Sequence, residues 1–153
     1  MTTPMVVEGI EGLKALVGTS LGSCEPFTVT QDDINAFADV TGDDQWIHTN
    51  PKMAKEAGPF GGTVAHGYFL LSKAPGMLFK LVDIKNIIMG LNYGTEKVRF
   101  PEPCKVDSVI TMTANLKALA PKGFGHLATI ELTYIAEGAK KPCCVAEVLY
   151  MFG

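Results

Sequence analysis

Residues 64–80 read VAHGYFLLSKAPGMLFK. Wound at 3.6 residues per turn, this run puts apolar side chains on nearly every face, which predicts a helix from Val64 to Lys80 that is surrounded by protein. Pro75-Gly76 is expected to kink that helix or end it early, because proline lacks an amide donor and clashes with the preceding turn. A helix without a polar face needs something to wrap it, and the candidate lies downstream, where the period changes. Lys97–Phe100, Ser108–Leu119, His126–Ala136 and Cys143–Phe152 are rich in Thr, Val, Ile and aromatic residues. They are separated by the turn-forming runs PEP (101–103), APKGFG (120–125) and EGAKKP (137–142), which predicts antiparallel strands in a meander. A sheet with one apolar face buries that face and the helix together by curling around it, so the expected class is α+β.

Upstream of the central run the signals are shorter. Residues 8–17 (EGIEGLKALV) place Ile10, Leu13 and Val17 at helical spacing, with Gly18 as a stop. CEPFTV (24–29) suits a brief strand. Thr30 then opens T-Q-D-D, a reciprocal cap in which the hydroxyl accepts from the Asp33 amide while that carboxylate reaches back. The helix that follows is expected to bury Ile34, Phe37 and Ala38 and to end near Gly42. Asn50-Pro51 repeats the cap-then-proline pattern before a short helix, Lys52 to Ala57, which Gly58 terminates. PFGGT (59–63) is a glycine-rich connector.

With 153 residues, 47% hydrophobic and 19% charged, the chain is expected to form one domain over 1–153, without repeat, linker or low-complexity tract. A globule of this size has little room to enclose a large ligand by itself. The formal charge is −3, Arg99 is the one arginine, and no basic run exceeds the pair Lys140–Lys141, so nucleic-acid binding is a poor expectation. Cys24, Cys104, Cys143 and Cys144 form no C-x-x-C pair and no disulfide framework, which suits buried thiols in a reducing compartment. The first ten residues lack the pattern of a secretory leader, and apolar runs stop well short of 18 residues; a cytoplasmic protein outside the membrane is expected.

Chemistry is concentrated between Ala38 and Ser72. Asp43 and His48 are five apart, after one helix and before the next, so rigid flanks can fix both side chains on a loop. A carboxylate and an imidazole meeting there can hold one water, the imidazole exchanging protons near neutral pH and the carboxylate orienting the water. The same residues also suit simpler roles, Asp43 capping a turn and His48 making a structural hydrogen bond. Asp44 reads as solvent-facing or a cap, Trp46 as a core or interface anchor, and His66 as a packed, hydrogen-bonded histidine or a second polar group of the site. Gly67 follows His66 in the first turn of the expected helix; an amide there has no intrahelical acceptor and can point at an oxygen that becomes anionic. No phosphate-binding G-x-x-x-x-G-K-S/T or G-x-G-x-x-G is present.

FADVTGDDQWIHTNP (37–51), GPFGGTVAHGYFLLS (58–72) and LNYGTEKVRFPEP (91–103) together resemble the MaoC-like dehydratases, or R-specific enoyl-CoA hydratases, of the hot-dog fold. The resemblance spans about residues 27–103. It implies a curved antiparallel sheet wrapped around a long central helix, a homodimer or higher oligomer with acyl-CoA sites near the subunit interface, and reversible syn hydration of a trans-2-enoyl thioester to the R-3-hydroxyacyl thioester. Carried over residue by residue, it implies Asp43 and His48 as the pair that activates and protonates through water, and the Gly67 amide as the donor to the thioester carbonyl. Gln45 and Trp46 stand where the family's G-D-x-N-P-x-H has Asn and Pro, and Gln45 keeps an amide near the substrate. Some members carry a serine in the central helix; Pro75 falls at about that position, and Ser72 lies one turn earlier.

The reaction so implied needs no redox cofactor and no metal; the spacing of Asp43, His48 and His66 matches no metal-ligand motif. A hot-dog thioesterase and a non-catalytic acyl-CoA-binding subunit are the competing expectations. Arg99 and nearby lysines are candidates for the phosphates of CoA, alongside the plainer reading of a solvated strand charge. His126 is expected at a strand edge without chemistry.

Overall fold

The computed structural model describes residues 3–153, so the first two residues of the expected 1–153 domain lie outside it. In chain order the elements are β1 (Met5–Glu8), α1 (Gly9–Ala15), β2 (Thr19–Ser23), β3 (Phe27–Thr28), α2 (Gln31–Thr41), α3 (Trp46–Thr49), α4 (Pro51–Ala57), α5 (Gly67–Ser72), α6 (Ala74–Leu81), β4 (Val82–Lys85), β5 (Gly90–Arg99), β6 (Val109–Lys122), β7 (Gly125–Ala136) and β8 (Cys144–Phe152). The expected meander is the heart of the sheet. β6, β7 and β8 pair antiparallel in sequence, β2 and β3 both pair with β6, and β5 joins the outer side of β8. Among the described residues β5 is therefore an edge strand.

Period-2 patterning produces the core. Ile110, Met112, Ala114 and Leu116 on β6, Ala128, Ile130, Leu132 and Tyr134 on β7, and Cys144, Ala146 and Val148 on β8 are buried, while the residues between them are half-exposed. They form one cluster with Phe69, Leu70, Ala74, Met77, Leu78 and Leu81 of α5 and α6. Each large apolar side chain so buried is worth roughly 1.5–3 kcal/mol, which is why the sheet and the helices exist only together. All four cysteines are buried free thiols. Burial pushes Cys144 up to about 12, and Cys104 also rises, first through its hydrogen bond with Cys143 and then through burial.

The central helix differs from its expected bounds. Val64–His66 are not helical; Val64 bridges to Lys105 and the Ala65 N–H donates to Cys104 O at 2.8 Å. The helical run then covers Gly67–Leu81 in two pieces that meet at Lys73, with Pro75 in the first turn of the second piece, where its missing N–H has no helical acceptor to lose. It is not covered on every face either, since Tyr68 and Phe79 are exposed.

Other differences are smaller. The strand expected over 24–29 shrinks to Phe27–Thr28, and α1 stops at Ala15. Strand β5 starts at Gly90, well before Lys97; every residue from Gly90 to Lys97 is exposed, so no apolar alternation marks it, and its register comes from β8. Strands β1 and β4 pair parallel, Met5 opposite Val82 through Glu8 opposite Lys85, a contact across most of the first half of the chain that neither four-residue segment announces. Trp46 opens the one-turn α3 and is exposed, so it does not anchor the core.

Candidate active site

Two helix ends and one helix start bring the site together. The reciprocal cap between Thr30 and Asp33 begins α2, and Gly42, at φ +78°, ends it in the left-handed conformation that favours glycine. The chain thereby turns and delivers Asp43. Gln45 is the N-cap residue of α3, whose single turn carries His48 inward. The Asn50 side chain accepts from the Met53 N–H and starts α4 with Pro51 at the first turn, as its sequence suggests. Gln31, at the start of α2, braces the arrangement: its Nε2 donates to His48 O at 2.7 Å and its Oε1 accepts from Thr63 Oγ1 at 2.5 Å.

His48 and His66 are both buried and their rings stack, with centroids 3.8 Å apart. His48 Nδ1 lies 2.6 Å from Val64 O. A carbonyl only accepts, so Nδ1 carries a proton, and in the neutral ring Nε2 presents a lone pair. His66 Nε2 is held in the same way by Asp43 O at 2.8 Å, which leaves its buried Nδ1 with no hydrogen-bond partner. The Asp43 carboxylate is about half exposed, 4.0 Å from His66 Nε2 and 3.4 Å from Gln45 Nε2. One ligating atom of each of Asp43, His48 and His66 lies within 4.8 Å of those of the other two. Polar groups gathered this closely can be bridged by one water.

Asp43, His48, His66 and Gly67 line one pocket of about 230 Å³, completed by Phe37, Thr41, Tyr68 and Phe100. Gly67 is the first residue of α5, and its N–H donates no hydrogen bond among the described residues. The ring of Phe100 covers it so closely that a Cβ there would stand 2.7 Å from the ring carbons. The pocket thus combines a lone pair, a carboxylate and a free amide against an apolar wall, a set suited to moving a proton beside a polarised carbonyl.

The chain matches the family model described as a MaoC like domain over residues 13–137. It is 40% identical over 146 residues to 3-hydroxyacyl-thioester dehydratase Z of Mycobacterium tuberculosis, covering 95% of this chain and 96% of that protein. The chain belongs to the MaoC-like dehydratase family. Nodulation protein N of Rhizobium leguminosarum bv. viciae is 39% identical over 132 residues, 85% of this chain and 82% of that protein. Among solved structures, the monoamine oxidase regulatory protein from Archaeoglobus fulgius superposes with a TM-score of 0.78 at 23% identity, covering 99% of this chain and 98% of that one. The R-hydratase from A. caviae gives 0.72 at 21% identity, covering 88% and 95%. These likenesses establish the hot-dog fold, a curved antiparallel sheet around a central helix.

Within this MaoC-like domain the structure gathers Asp43, Gln45, His48, His66 and Gly67 around one pocket or beside it. Arg99 is elsewhere: it ends β5, exposed, with Nη1 donating to Val98 O. Ser72 and Pro75 line a different concavity, between α5–α6 and the strands β5 and β8, with Leu71, Asn92, Thr95 and Tyr150. Gln31, Thr63, the Val64 carbonyl and Phe100 belong to the site without any local signal in the sequence, because each acts through a contact across many residues. His126 is the second residue of β7, remote in sequence and outside the pocket, and Asp44 is exposed.

Proposed function

We propose that this MaoC-like protein is a hydratase/dehydratase that adds water reversibly to a trans-2-enoyl-CoA to give the R-3-hydroxyacyl-CoA. The observation that carries this reading is the buried pair of stacked histidines beside Asp43, with the proton-accepting nitrogen of His48 free and the Gly67 amide unused. A water held between Asp43 and His48 Nε2 loses its proton to the imidazole as its oxygen bonds to C3 of the enoyl group. The electrons of the C2=C3 bond move toward the thioester carbonyl, where the Gly67 N–H stabilises the developing negative charge. The His48 imidazolium then returns that proton to C2 on the same face, which completes a syn addition and restores the neutral ring, and the reverse sequence eliminates water. Tyr68, Phe37 and Phe100 form the apolar wall, and Gln45 and His66 orient Asp43 and the substrate. The family relation to a 3-hydroxyacyl-thioester dehydratase supports this reading, and the four buried thiols suit a reducing cytoplasm.

The test is a hydration assay over enoyl-CoAs from four to sixteen carbons with chiral analysis of the product. Enoyl absorbance is expected to fall without release of free thiol, giving the R product. Thiol release would identify a thioesterase, and no turnover at any chain length would identify an acyl-CoA-binding subunit.

The assembly we propose is a homodimer, which gives a small chain a second wall for its substrate. The ten-residue edge of β5 has no partner among the described residues and exposes Leu91 and Tyr93 next to Ile88 and Met89. Such an edge pairs readily with another strand. Light scattering is expected to give twice the chain mass, and Leu91→Lys with Tyr93→Lys to shift it toward the monomer. A monomeric parent protein would defeat this assembly.

A further inference from the structure

The segment Phe100–Lys105 (FPEPCK) leaves the candidate active site and enters a second concavity. Phe100 lines the first pocket; Glu102, Pro103 and Lys105 line the second, a surface cleft of about 380 Å³ that Ser108, Lys140 and Lys141 complete. Three lysines therefore meet one carboxylate in a chain whose net charge is −3. Most other lysines have local partners: Lys14 pairs with Glu11, Lys85 with Asp83, Lys97 and Lys117 with Glu147, and Lys73 and Lys122 lie over aromatic rings. In the cleft Lys141 has Glu102 at 3.8 Å, while Lys105 and Lys140 have no carboxylate within reach among the described residues. Uncompensated cations converging on a concave surface raise the local potential and favour an anion with several charges.

We propose that this cleft holds the phosphate groups at the nucleotide end of a coenzyme A thioester whose acyl end occupies the pocket of Asp43 and His48. The proposal rests on the hydratase reading above and adds where the carrier lies. Phe100 to Lys105 covers at most about 17 Å of extended chain, the scale of a pantetheine arm. The two regions are also fastened to each other, because Lys105 bridges to Val64, two residues before His66, and Cys104 O accepts from Ala65 N. Lysine ammonium groups are point charges on flexible stems, suited to the phosphates of a nucleotide that needs holding but no chemistry.

The test compares crotonyl-CoA with crotonyl-pantetheine, which has the same reacting end and arm without the nucleotide. In Lys105→Ala/Lys140→Ala/Lys141→Ala, three exposed positions, the preference in kcat/KM for the CoA thioester is expected to fall about tenfold. Adenosine 3′,5′-bisphosphate is expected to compete with crotonyl-CoA in the parent protein, to compete less as salt is raised, and to lose its effect in the triple variant. An unchanged preference, an equal loss on both thioesters, or failure of the bisphosphate to compete would overturn the proposal. So would a loss confined to a carrier-protein thioester, which would mark the cleft as a docking place for an acidic protein. If the parent hydrates neither thioester, the hydratase reading fails, and calorimetry decides the cleft separately. Binding of the bisphosphate to the parent but not to the triple variant supports it, and equal or absent binding sinks it.

Discussion

Replacing His48 with Gln lowers kcat/KM for crotonyl-CoA hydration by about 10³-fold, within the range that a positioned general base contributes. The substitution keeps a side chain of similar size and an amide that can still donate to Val64 O, but removes the nitrogen lone pair proposed to accept the water proton. The hydrogen bond at 2.6 Å from Nδ1 to Val64 O fixes the ring that lines the pocket, and an amide donor can replace it, so the fold should survive while turnover is lost. Asp43→Asn is expected to act in the same direction, through poorer orientation of the water. Circular dichroism and the oligomer mass should match the parent protein. Retention of a tenth or more of the activity in His48→Gln, with folding intact, would remove His48 from the chemistry.

Gly67→Ala is the second large effect. The added methyl meets Cγ, Cδ1 and Cδ2 of Phe100 at 2.7–2.8 Å, and these atoms lie too near the root of the side chain to swing away cheaply. If the start of α5 retreats, the amide proposed to face the thioester carbonyl is displaced; if the ring moves instead, the wall of the pocket that lines the substrate is lost. A lost oxyanion donor costs about 10²–10³-fold in kcat, and the overpacking about 1–3 kcal/mol of stability. The double variant Gly67→Ala/Phe100→Ala separates these terms, since contacting residues are coupled. Truncating the ring should restore the stability lost by the single variant. Full activity in Gly67→Ala would rule out the amide as the donor.

The fold was legible because its signals are periodic. Enrichment in Thr, Val, Ile and aromatic residues between turn-forming runs along residues 108–152 identified β6, β7 and β8, and the apolar run Val64–Lys80 identified what they cover. Thr30 with Asp33, and Asn50 with Pro51, marked helix starts that the structure reproduces atom by atom. Only the last three residues of β5 fell inside the strand expected over Lys97–Phe100; residues 90–96 escaped because an edge strand need not alternate, and β1 with β4 because a parallel pair is stabilised by a partner distant in the chain.

The site was half legible. The five-residue spacing of Asp43 and His48 indicated that they could meet, since both lie on one short connection between two helices. The spacing carried no information on His66, eighteen residues beyond His48, whose ring stacks on His48 and whose Nε2 binds the Asp43 carbonyl. Nor did it indicate that Gln31 and Thr63 clamp the loop, or that Phe100 covers Gly67.

By itself, then, the sequence determined where the meander strands, the capped helices and the apolar central helix lie and which two side chains fall on one short stretch between α2 and α4, because those properties follow from local period, caps and chain length; the expected loop position of His48 is replaced by the single turn of α3. Only the tertiary structure decided which nitrogen of His48 is free, what lies against Gly67 and which lysines converge beyond Phe100. Those are set by carbonyls, rings and charges that arrive from remote strands when the sheet closes around the helix, and no local pattern encodes them.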